Sequence, residues 1–494
     1  MSFDDYQRAT DHHRTCPGTP PAEEWTYYSK RLNTELGAAL NQTEALLQTN
    51  RAWTIMLFEQ GLITQATAVA LANALDLAEE QSVNPTEYWL KRHIKDEDVA
   101  SAINLGRTLQ EPMSRLQQRR KLIHVFEGLV RCLETLLEKI NEHAATIVPG
   151  MTHLTHAQPT TYGAYLLSVF DGLWRGIEQL ELAYEHVNEC SAGCGALAGT
   201  GWPVDRLRVA QLLAMDRLVE PAYDCEAGQD HALTVLFAVT NIAVLLSRTA
   251  MDHNVWGMES VEWLRVPSEW SGVSSLMPQK SIDGSQFERI RIQADDIIGQ
   301  MVTGVVSMKG EPHSDMLPIY EAYRGALRAL CHLEMGLGFF TGLVRELELD
   351  APKLLKLTRE GFGAAPDLAI RLIRDHGYGA RRAHRTCATF VRYARERGTP
   401  ANQTTGALLD EAATFLDYPA PHLSTDDVRD ALDPVAFLER HNNLGDPAPA
   451  ETQRLADIRR KRLEQAAARH DLRAQNVQNV SCVLSEAIEA IRNA

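Results

Sequence analysis

The chain has 494 residues, 45% of them apolar, and carries 65 acidic side chains against 49 basic ones for a formal charge of −16. That length points to about two to four domains, and this apolar share can fill a large core. The acid excess excludes nucleic acid as the main partner, because phosphate binding needs a basic face; a small anionic substrate stays open, since a few local cations hold it. Cys16, Cys132, Cys190, Cys194, Cys225, Cys331, Cys387 and Cys482 are scattered along a long chain, which reads as reduced thiols of a cytoplasmic protein and not as a disulfide framework. The polar opening MSFDDYQRATDHHR holds no apolar signal segment. No run of eighteen apolar residues offers a membrane span.

Helical periodicity dominates. Leu122, Phe126, Leu129, Leu133, Leu136 and Ile140 are spaced 4-3-4-3-4 and form one stripe on a long helix ending before Pro149 and Gly150. Further helices are predicted over 164–187, 231–256 and 286–306. The third of the four reads HALTVLFAVTNIAVLL, apolar almost all round, as at the centre of a large bundle. The fourth puts Ile290, Ala294, Ile297, Met301 and Val305 on one side. Alternating strand patterns are nearly absent, so the expected class is all-α, a long central helix bundle. Irregular segments are expected at 149–161, 191–206, 266–285 and 310–320. Pro- and Gly-rich stretches near Pro400 and at 444–449 mark a separate C-terminal region. The predicted division is an N-terminal helical domain (1–110), the bundle (111–350) and a C-terminal helical domain (351–494). Function concentrates on loops held by a rigid scaffold.

Three of these segments carry chemistry. SGVSSLMPQK, 271–280, sets two adjacent serines and a lysine in a loop with small neighbours. A serine hydroxyl is a poor base unless backbone N–H groups or a cation stabilise its alkoxide. Lys280 supplies a point charge for a carboxylate or for charge developing in a transition state. By residue type alone the stretch reads as a plain surface loop, because serines and lysines populate loops everywhere. In PGMTHLTHAQPTT, 149–161, His153 can transfer a proton near neutral pH, and Thr152 beside it can hydrogen-bond an anion. His153 and His156, three apart, would share one helical face; a zinc site needs three or four ligands, so no metal is expected, and a satisfied structural histidine is the bland alternative. In CGALAGTGWPVDR, 194–206, small residues permit close approach to a neighbouring helix or to a ligand, with packing the plainer reading. Cys190 and Cys194 read as two buried thiols.

Taken in order, THLxxAQP, GALAGTxxPxDR and SSLMPQK resemble argininosuccinate lyase, of the superfamily that includes fumarase, aspartase and adenylosuccinate lyase. The likeness continues at Asp96 to Asp98, at Lys309 and Gly310, and in DLAIRLIRDHGYGARRAH and ALDPVAFLER, and covers roughly residue 25 to the C-terminus. It implies a homotetramer with a central twenty-helix bundle and active sites built from loops of three subunits. The implied reaction is β-elimination from a succinyl group without a cofactor. A proton leaves the carbon beside a carboxylate, an amine departs, and fumarate forms; the intermediate needs preorganised donors. By the same resemblance Ser274 is the base and Lys280 contacts a substrate carboxylate. Thr152 binds substrate with His153, which assists the leaving group, while Ser275, Met277 and Gln158 join the binding loops. Loop closure would exclude water.

The departures bear on the substrate. After PQK the family has lysine, asparagine and proline, where this chain has Ser281, Ile282 and Asp283; an isoleucine cannot donate a hydrogen bond. Val273 replaces a glycine and stiffens the loop. The family's HTxRSRND segment gives way to SAINLGRTL, 101–109, which leaves Asn104, Arg107 and Thr108 as its substrate-facing candidates. After KGxP, HSDML stands where a tyrosine and a glutamine hold the arginine moiety. Each hydrogen bond lost to a charged group is worth about 1.5–3 kcal/mol. The expected activity is therefore elimination of another amine from an N-substituted aspartate, a small dicarboxylate-type substrate. The alternatives are a divergent argininosuccinate lyase, a C–O lyase, and a non-catalytic structural relative.

Overall fold

Thirty residues, Met113–Glu142, form the first long helix, and its stripe of Leu122, Phe126, Leu129, Leu133, Leu136 and Ile140 is buried. The computed structural model describes residues 40–108, 112–274, 276–277, 281–282 and 285–494. The other predicted long helices are present as Tyr162–Val187, Asp230–Trp256 and Ser285–Lys309. Thr161 starts the first of these: its hydroxyl accepts the Ala164 N–H at 3.0 Å and satisfies one free donor of the opening turn. Gly172 and Gly176 lie where a Cβ would strike Leu245 and Ile242, so the Tyr162–Val187 and Asp230–Trp256 helices approach closely.

A fifth bundle helix, Tyr320–Glu346, has no counterpart among the predicted elements. It is the most buried of the set, with Leu330, Phe339, Phe340 and Leu343 inside. It packs along Ser285–Lys309 and Met113–Glu142. Its Leu330, Leu333, Leu337, Phe340 and Val344 recur at helical spacing, so the signal for this helix is present in the sequence. The Asp230–Trp256 and Leu317–Glu346 segments are both long and apolar enough to cross a membrane, but the first buries 50% of its apolar window within the chain and the second 83%.

The region 351–494 does not fold as one piece. Leu368, Phe390, Leu409 and Val428 make a separate C-terminal core. The Pro449–Gln478 helix instead returns to the bundle, where Ala456, Leu463 and Ala466 join the core of Leu129 and Phe170. Val480, Leu484 and Ile488 of the last helix, Val480–Asn493, join Trp53 and Met56 of the N-terminal Thr43–Glu59 helix. This corrects the expected boundary. An amphipathic helix docks wherever its apolar face finds a complement, whatever its place in the chain.

Candidate active site

The segment 149–161, expected to be irregular, is an antiparallel hairpin of two strands, Ile147–Thr152 and Thr155–Thr161. Thr152 pairs with Thr155, and the register shifts at a bulge between Pro149 and Met151. Gly150 is required there, because a Cβ would meet the Gln158 carbonyl. His153 and Leu154 form the two-residue turn, with φ of +53° and +57°. Such turns prefer Asn-Gly; non-glycine residues in this region carry strain of about 1–3 kcal/mol each. His153 is thereby held at an exposed tip beside Thr152, and Leu154 is 79% exposed.

His156 lies three residues on, opposite Met151, with its ring 5.6 Å from that of Trp263. Partial burial lowers its pKa and favours the neutral ring. The two histidines therefore sit on a turn and a strand, and the shared helical face does not form. Gln158 is exposed on the second strand.

Ser274 lies just beyond a small ladder in which Gly272 pairs with Ile282 and Val273 with Ser281. The root of this loop is anchored by Trp270, fully buried, whose Nε1 donates to Glu346 at 2.6 Å and whose ring fills the space over Gly342. The half-buried Ser274 Oγ accepts the backbone N–H of Leu276 at 3.3 Å and of Met277 at 3.1 Å. Two donors on one hydroxyl oxygen favour its alkoxide form. Met277 itself is exposed. Ser275 and Lys280 lie outside the described residues.

The third group divides. Asn104 Nδ2 donates to Glu87 at 2.6 Å. Arg107 is buried: its Nε donates to the Ile103 carbonyl at 3.1 Å, a second nitrogen donates to Asn50, and the guanidinium lies 5.5 Å from the Trp53 ring centre. The expectation that Arg107 faces substrate is corrected, because a buried cation must find acceptors and this one finds them inside the N-terminal core. Thr108 is half-buried at the end of the segment.

In the small-residue loop, Cys190 and Cys194 are buried thiols, and Cys194 donates to Glu226 at 3.2 Å. Arg206 fastens this loop by donating to the carbonyls of Ala192 at 2.8 Å and Val219 at 2.7 Å. Beyond Lys309 and Gly310, the Tyr320 hydroxyl donates to Asp315 at 2.5 Å. Within one chain the hydrogen bonds of the hairpin tip and of Ser274 stay in their own loops among the described residues.

Comparison with known proteins gives one answer along the whole chain. Residues 32–299 match the family model described as Lyase, and residues 362–439 match the one described as Argininosuccinate lyase C-terminal. An argininosuccinate lyase of Methanothrix thermoacetophila is 29% identical over 451 residues, 86% of this chain and 89% of that relative. One from a Chelativorans species is 30% identical over 355 residues, 72% of this chain and 73% of the relative. Among solved structures, EDDS lyase in complex with formate superposes with a TM-score of 0.88 at 28% identity, covering 95% of this chain and 96% of that one. A variant of the same enzyme with bound fumarate gives 0.88 over 96% of each chain. Loops that hold a strained histidine turn and a doubly hydrogen-bonded serine, on a bundle shared with these enzymes, identify the chain as a carbon–nitrogen lyase of the argininosuccinate lyase-like branch of the fumarase/aspartase superfamily.

Proposed function

We propose that the enzyme eliminates an amine from an N-substituted aspartate and releases fumarate, with a leaving group other than arginine. Ser274 takes the proton from the carbon beside a carboxylate, and electron density moves into that carboxylate. The C–N bond then breaks, and nitrogen leaves with the electron pair and accepts a proton from His153. Thr152 and Gln158 hold the substrate, with Ser275, Met277 and Lys280 completing the loop that covers it. The observation that carries this reading is the Ser274 oxygen with two backbone N–H groups aimed at it. The fumarate bound by the structural neighbour supports the product. Arg107, occupied by Asn50 and Ile103, acts as a positioning residue for 104–108.

The catalytic unit is a homotetramer with each site shared between chains, acting in the cytoplasm. Its support is a row of exposed apolar side chains seven residues apart, Phe237, Val244 and Met251, continued on the next helix by Ile292, Val302 and Val306. Faces this apolar on a water-soluble bundle call for a protein surface.

The reading is tested by following the ultraviolet absorbance of fumarate released from N-substituted aspartates, argininosuccinate among them. Release from another aspartate well above that from argininosuccinate is expected; a clear preference for argininosuccinate would instead make this a divergent member of that activity. Mixing the inactive His153→Ala and Ser274→Ala proteins after dissociation should restore turnover through hybrid sites. No recovery would sink the shared site.

A further inference from the structure

A cavity of about 920 Å³ lies between the Ala365–His376 and Ala380–Glu396 helices of the C-terminal core, and His156 of the hairpin completes its wall. Its size is that of a small-molecule site. Phe362, Ala365, Ile370, Cys387, Ala388 and Val391 give it an apolar lining. Burial pushes the Cys387 thiol up to about 12, so that side chain stays neutral. The Ala365–His376 helix buries Leu368 and Leu372 but leaves Ile370, between them, 44% exposed in this groove.

The polar groups of the wall favour an anion. The exposed side chains of Arg395 and His384 both line the cavity, and neither has a hydrogen bond or an ion pair among the described residues. The carboxylates nearby already have cations beside them. Glu360, the one acid among the lining residues, stands 3.9 Å from Lys356. Glu396 stands 3.9 Å from Arg392, and Glu411 accepts from two nitrogens of Arg397. The Ala380–Glu396 helix carries five arginines and one glutamate in a chain of net charge −16, a local positive field that draws anions. A guanidinium presents paired N–H donors that fit a carboxylate, and an imidazole N–H adds another.

We infer that this cavity is a second ligand site, outside the elimination site, for an organic anion that carries one carboxylate on an apolar body. The body lies along Phe362, Ile370 and Val391, and the carboxylate meets Arg395 and His384 at the rim. A short dicarboxylate lacks the apolar surface to fill the groove, and an alkylammonium would set its charge against the guanidinium. The site touches the catalytic hairpin directly. Gly363 packs on Ala157 so closely that a Cβ would strike its carbonyl, and His156 lies three residues from His153 with its ring 5.6 Å from that of Trp263. An occupant therefore rests against the strand that carries the strained His153 turn. The inference does not depend on the elimination reading above.

Calorimetric titration of the whole protein tests it with phenylpropionate, phenylpropanol and phenylpropylamine, which share a body and differ in charge. Phenylpropionate should bind about tenfold or more tightly than the other two. Octanoate, titrated beside it, tells an aromatic body from an acyl chain, and preferential binding of either carboxylate upholds the site. Arg395→Gln should weaken carboxylate binding about tenfold and leave phenylpropanol unaffected. Ala388→Phe, which fills the groove from its exposed rim, should abolish both. Excess fumarate should leave the titration unchanged; displacement would put the anion in the elimination site and overturn the assignment. Equal affinities for the three charge types, no binding of either carboxylate, or full binding to the Ala388→Phe protein would overturn it too. Melting curves identify a variant that has not folded, in which case the probe series and the fumarate competition on the parent protein decide.

Discussion

The Tyr320–Glu346 and Asp230–Trp256 helices are equal in length at 27 residues, yet the more apolar of them, Asp230–Trp256, is the less buried. The first is enclosed by its own chain, with glycines, alanines, leucines and phenylalanines turned into one core. The second buries one side, through Val235, Val239, Ile242 and Leu246, and leaves Phe237, Val244 and Met251 outside at 50%, 40% and 45% exposure. Apolar content alone therefore does not say whether a helix is finished by its own chain. The open face and the exposed hairpin tip are the parts of the molecule that the proposed shared site would bring against another subunit.

The largest expected effect falls on Ser274. Ser274→Ala should lower kcat by about 10²–10⁴-fold while sedimentation and melting stay those of the parent; near-normal turnover would remove Ser274 from the role of base. Next comes a matched pair that sharpens the contrast between the helices. Phe340→Ala, inside the enclosed helix, should cost about 3–5 kcal/mol of stability without altering assembly. Val244→Lys, on the open face, should break the proposed tetramer, because an ammonium buried in a contact without a counter-charge costs several kcal/mol. Light scattering and melting curves separate the two outcomes, and an assembled Val244→Lys protein would refute the interface.

The smallest effect tests the buried side of the Asp230–Trp256 helix. His253 is fully buried, with Nδ1 2.7 Å from the Thr249 carbonyl and Nε2 2.9 Å from the Tyr162 hydroxyl. A carbonyl only accepts, so Nδ1 carries the proton and Nε2 accepts from Tyr162. Burial lowers the pKa from 6.5 to about 4. Between these values the unfolded chain binds a proton that the folded chain does not. Stability is therefore full above the unfolded value and declines as pH falls from 6.5 toward about 4, by about 3 kcal/mol at most. His253→Gln, which keeps an acceptor for Tyr162, should flatten that part of the melting-temperature profile. An unaltered slope would assign the acid sensitivity elsewhere.

The four helices with a recurring stripe or a long apolar run were legible in the residues, because burial of one face imposes its period on the sequence. So were the segments of the candidate site, since THL, GALAGT and SSLMPQK follow one another in the order of the family. The hairpin was not legible: PGMTHLTHAQPTT has no Asn-Gly turn, and its His153–Leu154 turn is held by the surrounding strands against local preference. Nor was Arg107, whose inward turn depends on Asn50 and Trp53, more than fifty residues earlier. Sequence by itself thus determined the all-helical class and the family, and it singled out the candidate reacting groups. Tertiary structure alone decided which apolar faces stay open and where the last two helices dock. Those outcomes depend on contacts between residues far apart in the chain, and local residue preference carries no record of such contacts.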